Sequence, residues 1–125
     1  MIDPRQIAIV AIGSAVGGAL RYFVSIFFIY KDWNKLPWST FLINFVGCFL
    51  IGMFYDLFEK SNDGNTNLKL LLTTGFCGGF TTFSAFAYEN IQLLKNNAPT
   101  IAFLYIALSV ILCILATFLG MFLFK

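Results

Sequence analysis

The sequence predicts an all-α integral membrane protein of four transmembrane helices, with the third helix broken. Composition is the first ground. Hydrophobic residues make up 59% of the 125 and charged residues 11%. Six acids and eight bases cannot supply the polar shell of a soluble domain this size. The second ground is that the apolar residues gather into four long stretches, and crossing a bilayer takes about 20 residues of helix. The third is that the connectors, "YKDWNKLP", "EKSNDGNTN" and "KNNAP", are short and rich in the Asn, Asp, Gly and Pro of turns and caps. The chain therefore reads as a single transmembrane domain over residues 1–125.

The first span is expected over residues 4–29, with Asp3 as N-cap and Pro4 as first helical residue. It is too long for a signal-peptide core and has no small-residue cleavage site, and neither end carries a lipidation motif. Gly13–Gly17 and Ser14–Gly18 have the small-xxx-small spacing that lets helix backbones approach closely. Arg21 follows one turn later, inside the span. Its guanidinium either snorkels to the interface or lends positive potential to the mouth of an anion path.

The second span is expected over residues 38–58. Asn44 stands alone in "TFLINFVGCFLIG", while Asp56 comes only at the far end, near water. Two roles are open to a buried amide. It can glue helices together at roughly 0.6–2 kcal/mol, or it can give N–H groups to an anion that has shed water. An amide does not titrate, so it suits passive conduction better than proton coupling.

The third span is expected over residues 68–94 and contains "TTGFCGGFTTFSAF". Gly75, Gly78 and Gly79, set between threonine pairs, predict that the helix is interrupted there. Irregular backbone at membrane depth survives only where protein or a cavity satisfies it. An interruption frees carbonyls, which suit a hard cation, and amides, which suit an anion. The alternative is a glycine-lined crossing where two copies touch. Phe83 and Phe86 share a helix face. Core packing is the ordinary role of such a pair, but the positive edge of an aromatic ring can also attract an anion without a fixed charge. Ser84, between them, can add a hydroxyl. A path built from such neutral groups binds weakly and so releases its ion.

The fourth span is expected over residues 99–124, with Tyr105, Ser109 and Thr117 as its polar residues. Cys48, Cys77 and Cys113 lie in different spans without metal-site spacing, which reads as three reduced structural thiols. Lysine and arginine give little orientation signal. Arg5, Lys60, Lys69 and Lys125 would lie on one side, against Lys31, Lys35 and Lys95 on the other. Either the one extra charge fixes a single orientation, or the chain inserts both ways and two copies meet antiparallel. With no histidine, no carboxylate pair and no phosphate loop, an enzyme is not expected. The scattered bases form no patch for nucleic acid.

"GFCGGFTTFSAF", the glycine-rich first span ending in arginine ("GSAVGGALR") and the lone asparagine in "FLINFVG" closely resemble the small bacterial fluoride channels, the CrcB/Fluc family. The resemblance covers essentially the whole chain. It implies an antiparallel, dual-topology homodimer in the bacterial cytoplasmic membrane, passing fluoride outward and giving fluoride resistance. It implies that Phe83 and Phe86 present ring edges to fluoride, with Asn44 as the pore amide and Ser84 in a polar track. Arg21 would lie towards the pore mouth and Glu89 near the pore's end, with Ser109 and Thr117 as hydroxyls of the fourth span. Main-chain carbonyls of Gly78 and Thr81, from both copies, would hold a structural sodium ion.

The chain departs from the family at Ala85, where a threonine is usual, and at Cys113, where a small hydroxyl residue is expected. The physics of the implied role is consistent: the inside-negative potential drives an anion outward by about 2.3 kcal/mol per 100 mV, without ATP or protons. The main rival is a small proton-coupled multidrug exporter, which needs a titratable acid deep in a span. Asp56 and Glu89 both lie towards span ends. A purely structural subunit, the second rival, leaves the combination of paired rings and interrupted helix unexplained.

Overall fold

The computed structural model describes residues 1–28, 36–61 and 64–124. Ile29, residues 30–35 of the first connector, residues 62–63 of the second and Lys125 lie outside the described residues, and with them the expected side assignments of Lys31, Lys35 and Lys125.

The described residues form helices joined by short turns. Helix α1 runs Pro4–Phe28. Asp3 starts it: its Oδ1 accepts from the Arg5 N–H at 2.9 Å and its carbonyl from Gln6 and Ile7, satisfying donors that the first turn leaves over. Helix α2, Trp38–Lys60, begins directly after Pro37. At its far end Lys60 pairs with Asp56 at 2.9 Å and donates to the Phe124 carbonyl at 2.7 Å, tying the second span to the end of the fourth.

The third span is assembled from pieces. Helix α3, Thr66–Leu70, is capped by Asn65, whose side chain accepts from the Leu68 N–H. A π-helical stretch follows over Leu71–Cys77, then a single turn, α4, at Gly78–Phe80. The backbone is extended at Thr81 (φ −82°, ψ 158°) and Thr82 (φ −150°, ψ 121°) before α5, Phe83–Lys95. Asn97, at φ 57°, turns the chain out of α5. The Asn97 N–H reaches the Leu94 carbonyl and the Ala98 N–H reaches Leu93, which uses up carbonyls of the last turn. Pro99 then opens α6, Pro99–Leu123. Four helical stretches, Pro4–Phe28, Trp38–Lys60, Thr66–Lys95 and Pro99–Leu123, are long and apolar enough to cross a membrane.

Two glycine-mediated crossings set the architecture. In the first, α1 lies against the third span. A Cβ on Gly13 would fall on Leu71–Phe76 backbone and one on Gly17 on the Phe76 carbonyl and Phe80 nitrogen, while one on Gly79 would strike Ser14. Ser14 Oγ donates to the Gly75 carbonyl at 3.3 Å across the same contact. Gly13, Ser14 and Gly17 thus pack closely as their spacing predicts, whereas Gly18 has no atom nearer than 3.9 Å to a Cβ placed there. The glycines of the third span need correction, however. Gly75, Gly78 and Gly79 sit in π- or α-helical turns, and the departure from helical geometry falls at Thr81–Thr82. Gly75 and Gly79 serve close approach to α1 of the same chain. Gly78 faces away from it, with no atom nearer than 3.9 Å to a Cβ placed there.

In the second crossing α2 and α6 run side by side in one direction. Gly52 lies against the Thr117 carbonyl, and Gly120 against the Phe49 carbonyl. A small core of Leu93, Ala98, Ala102 and Tyr105 closes one end. Large apolar side chains such as Phe103, Ile114, Phe118 and Phe122 point outward from α6, as membrane surroundings allow.

Candidate functional site

The site is organised by what happens to hydrogen bonds where the third span leaves helical geometry. In a continuous helix the Thr82 N–H would bond the Gly78 carbonyl, and the Ala85 N–H the Thr81 carbonyl. Both donors are diverted to side chains. The Thr82 N–H donates to Asn44 Oδ1 at 2.8 Å, and the Ala85 N–H to Thr82 Oγ1 at 3.1 Å. Asn44 Nδ2 in turn donates to the Thr82 carbonyl at 3.0 Å. The α2 amide therefore satisfies both main-chain groups of Thr82, in the one orientation that matches donor to acceptor at each end. This pairing uses one of the amide's two N–H groups. Asn44 is thus the interhelical tie, and it keeps a donor besides.

The segment before the interruption is held from other sides. Thr81 gives both its N–H and its hydroxyl to the Cys77 carbonyl, at 3.0 and 2.8 Å. Arg21 Nε donates to the Gly79 carbonyl at 3.2 Å. Arg21 thus satisfies a carbonyl in α4 and is not among the residues lining the cavity described below.

The interruption takes the i+4 donors from a run of carbonyls, those of Gly78 and Thr81 among them, because the Thr82 and Ala85 N–H groups bond to side chains. They are hard, neutral oxygens, and Gly78 is exposed on a side where nothing crowds it. Carbonyl oxygens of that kind are ligands for hard cations. Among the described residues no group of three acidic, cysteine or histidine side chains could hold a metal.

A cavity of about 340 Å³ opens beside the interruption. Asn44, Thr82, Phe83, Phe86 and Ser109 line it, with Cys48 and Cys113 deeper along α2 and α6. No charged side chain is among its lining residues. The Phe83 and Phe86 ring centroids are 5.5 Å apart, their planes tilted by 44°. Phe86 rests on Tyr105 at 5.0 Å, which fixes its ring, whereas Phe83 is 78% exposed. Ser109 is buried, and its hydroxyl has no hydrogen-bond partner among the described residues.

The polar side chains of α2 and α6 form rungs with a constant offset of 65 residues: Thr40 with Tyr105, Asn44 with Ser109, Cys48 with Cys113, Gly52 with Thr117. The first rung is bridged by Glu89 of α5, which accepts from the Thr40 hydroxyl and, at 2.7 Å, from the Tyr105 hydroxyl. The last is the backbone contact between Gly52 and Thr117.

Of the residues expected from sequence, Asn44, Phe83, Phe86 and Ser109 come together at the cavity. Glu89 lies next to it, behind Phe86 and Tyr105. Ser84 is exposed, its hydroxyl 3.2 Å from Thr82 Oγ1. Thr117 donates its hydroxyl back to the Cys113 carbonyl at 3.1 Å and is not among the residues lining the cavity. Sequence reasoning missed Thr82 as the hub, and Thr40 and Tyr105 as partners of Glu89. The repeated four-residue spacing of polar residues in both the second and fourth spans was the available signal.

Comparison with known proteins bears on this arrangement. The profile of the family described as CrcB-like protein, Camphor Resistance (CrcB), matches residues 8–121. A protein of Flavobacterium psychrophilum named fluoride-specific ion channel FluC is 46% identical over 121 residues, covering 97% of this chain and 98% of that protein. Proteins with the same name from Phocaeicola vulgatus and Rhizobium etli are 41% and 43% identical over 116 residues, each covering 93% of this chain and 95% and 93% of their own.

Proposed function

The chain belongs to the CrcB-like family, and we propose on that footing that it is a fluoride channel, a passive path that lets fluoride leave the cell down its electrochemical gradient. The observation that carries this reading is the reciprocal Asn44–Thr82 pairing at an uncharged cavity edged by Phe83 and Phe86. Fluoride binds its water tightly, so a path for it must replace hydration with weak, closely placed donors. The remaining Asn44 N–H, the Ser109 hydroxyl and the positive ring edges are such donors. None carries a fixed charge, so the anion is not trapped.

The functional unit is two antiparallel copies in the bacterial cytoplasmic membrane. The exposed Phe83 ring supports this, because a second copy would cover it and close the cavity into a path. A sodium ion shared by the Gly78 and Thr81 carbonyls of both copies would supply positive charge at their contact. A proton-coupled exporter gains no support from the relatives. In this structure Asp56 is paired with Lys60 at the end of its helix, and Glu89 is hydrogen-bonded to two hydroxyls.

The test is fluoride efflux from liposomes at symmetric pH, with a permeant counter-ion. Robust passive efflux is expected from the wild type. Proton-dependent uptake of a lipophilic cation without fluoride efflux would overturn the reading. Phe83→Ile removes a ring edge but keeps an apolar side chain. Efflux should fall by about 100-fold or more, equivalent to about 2.7 kcal/mol, with an unchanged elution profile; retained flux removes Phe83 from the path. Ser109→Ala separates transport from stability. Its buried hydroxyl has no partner to lose, so the unfolding midpoint should stay or rise slightly, while efflux declines.

A further inference from the structure

We propose that Cys48 and Cys113 form a two-thiol site for a soft, linearly coordinating d10 metal ion such as Hg(II), Ag(I) or Cu(I), and that occupancy of this site closes the cavity. The proposal rests on the channel reading for its effect on flux, but not for the binding itself. In sequence the two cysteines are 65 residues apart and carry no motif. The structure makes them one rung of the α2–α6 ladder, between the Asn44–Ser109 rung and the Gly52–Thr117 contact. Both line the same cavity, both are partly accessible, and neither is in a disulfide. Cys77, by contrast, is 1% exposed and absent from the lining.

The chemistry of the cavity selects the ligand. Its lining offers two thiols and no carboxylate or imidazole, so hard cations and tetrahedral zinc find no ligand set there. Two thiols lining one cavity suit a soft ion that takes two ligands. Mercuric chloride is neutral and enters an uncharged cavity without the penalty of a bare charge. On binding, two S–H and two Hg–Cl bonds break and two Hg–S bonds form, and two protons and two chloride ions leave. No oxidation state changes. The bridged metal then stands one helical turn from Asn44 and Ser109, across the donors that fluoride would use.

The experiment treats purified wild type, Cys48→Ser, Cys113→Ser and Cys77→Ser with mercuric chloride at equal thiol concentration. Intact-mass spectrometry reads the adduct, and efflux is normalised to each variant's own untreated flux. The expected result is one mercury per chain with two protons lost in the wild type and in Cys77→Ser. In these two proteins efflux should fall and return on adding dithiothreitol. Cys48→Ser and Cys113→Ser should each need about ten-fold more mercury, because a single thiol lacks the second Hg–S bond. Equal sensitivity of the wild type and both single variants, or protection by Cys77→Ser alone, overturns the two-thiol site. A bridged adduct in the wild type with efflux unchanged overturns the closure of the cavity. Absence of fluoride efflux before any mercury is added marks instead a failure of the channel reading, and the mass readout still decides the metal site.

Discussion

Replacing Asn44 with leucine is expected to abolish fluoride efflux and to destabilise the fold at the same time. The amide accepts from the Thr82 N–H, which has no helical partner, and donates to the Thr82 carbonyl. A main-chain group left unpaired away from water costs about 1–3 kcal/mol, so loss of the Thr82 N–H acceptor should cost about that much. Asn44→Asp divides the two roles. It keeps an acceptor for the Thr82 N–H but sets an oxygen against the Thr82 carbonyl, and it adds a negative charge beside an anion path. It should therefore retain more of the folded protein than Asn44→Leu while conducting no better. Size-exclusion profiles and unfolding midpoints, read beside efflux from liposomes, check the pair. If Asn44→Leu keeps near-wild-type efflux, Asn44 is neither the tie nor the donor.

That double role could not be read from the sequence, although its ingredients could. The lone polar residue of an apolar span announces a buried amide, and the Gly/Thr-rich segment announces an interruption. Which backbone group the amide meets depends on a helix 38 residues away in sequence, and no local pattern encodes it. The position of the interruption was misread for a related reason. Glycine suggests a break when propensity alone is considered, yet Gly75 and Gly79 are glycine because α1 lies on them. Thr81 and Thr82, as extended β-branched residues, take the non-helical backbone. Thr82 then caps α5 with its own hydroxyl. The four spans themselves were legible because hydropathy over 20-odd residues is a summed signal that no single contact overturns. The rungs between α2 and α6 required knowing that the two helices are neighbours. Their four-residue spacing was present, but without a partner helix it marks only a face.

Adjacent glycines offer the sharpest test of the α1 crossing. Gly17 and Gly18 read alike in the sequence, both being part of a small-residue stripe, but their surroundings differ. A Cβ on Gly17 would overlap the Phe76 carbonyl and come within 2.8 Å of the Phe80 nitrogen. A Cβ on Gly18 would meet nothing closer than the Gly79 carbonyl at 3.9 Å, an ordinary contact. The obstacles at Gly17 are main chain, so no rotamer change relieves them, and α1 must move away from the third span. Overpacking usually costs about 1–3 kcal/mol, and valine at Gly17 should exceed that range because two backbones separate along the whole crossing. The displacement would also draw Ser14 from the Gly75 carbonyl and Arg21 from Gly79, loosening the segment whose carbonyls are proposed to face a second copy. Gly17→Val should therefore give little monodisperse protein and no efflux, whereas Gly18→Ala should purify, elute and conduct like the wild type. Should both variants behave alike, in either direction, the close approach of α1 to the third span is not what holds this site together.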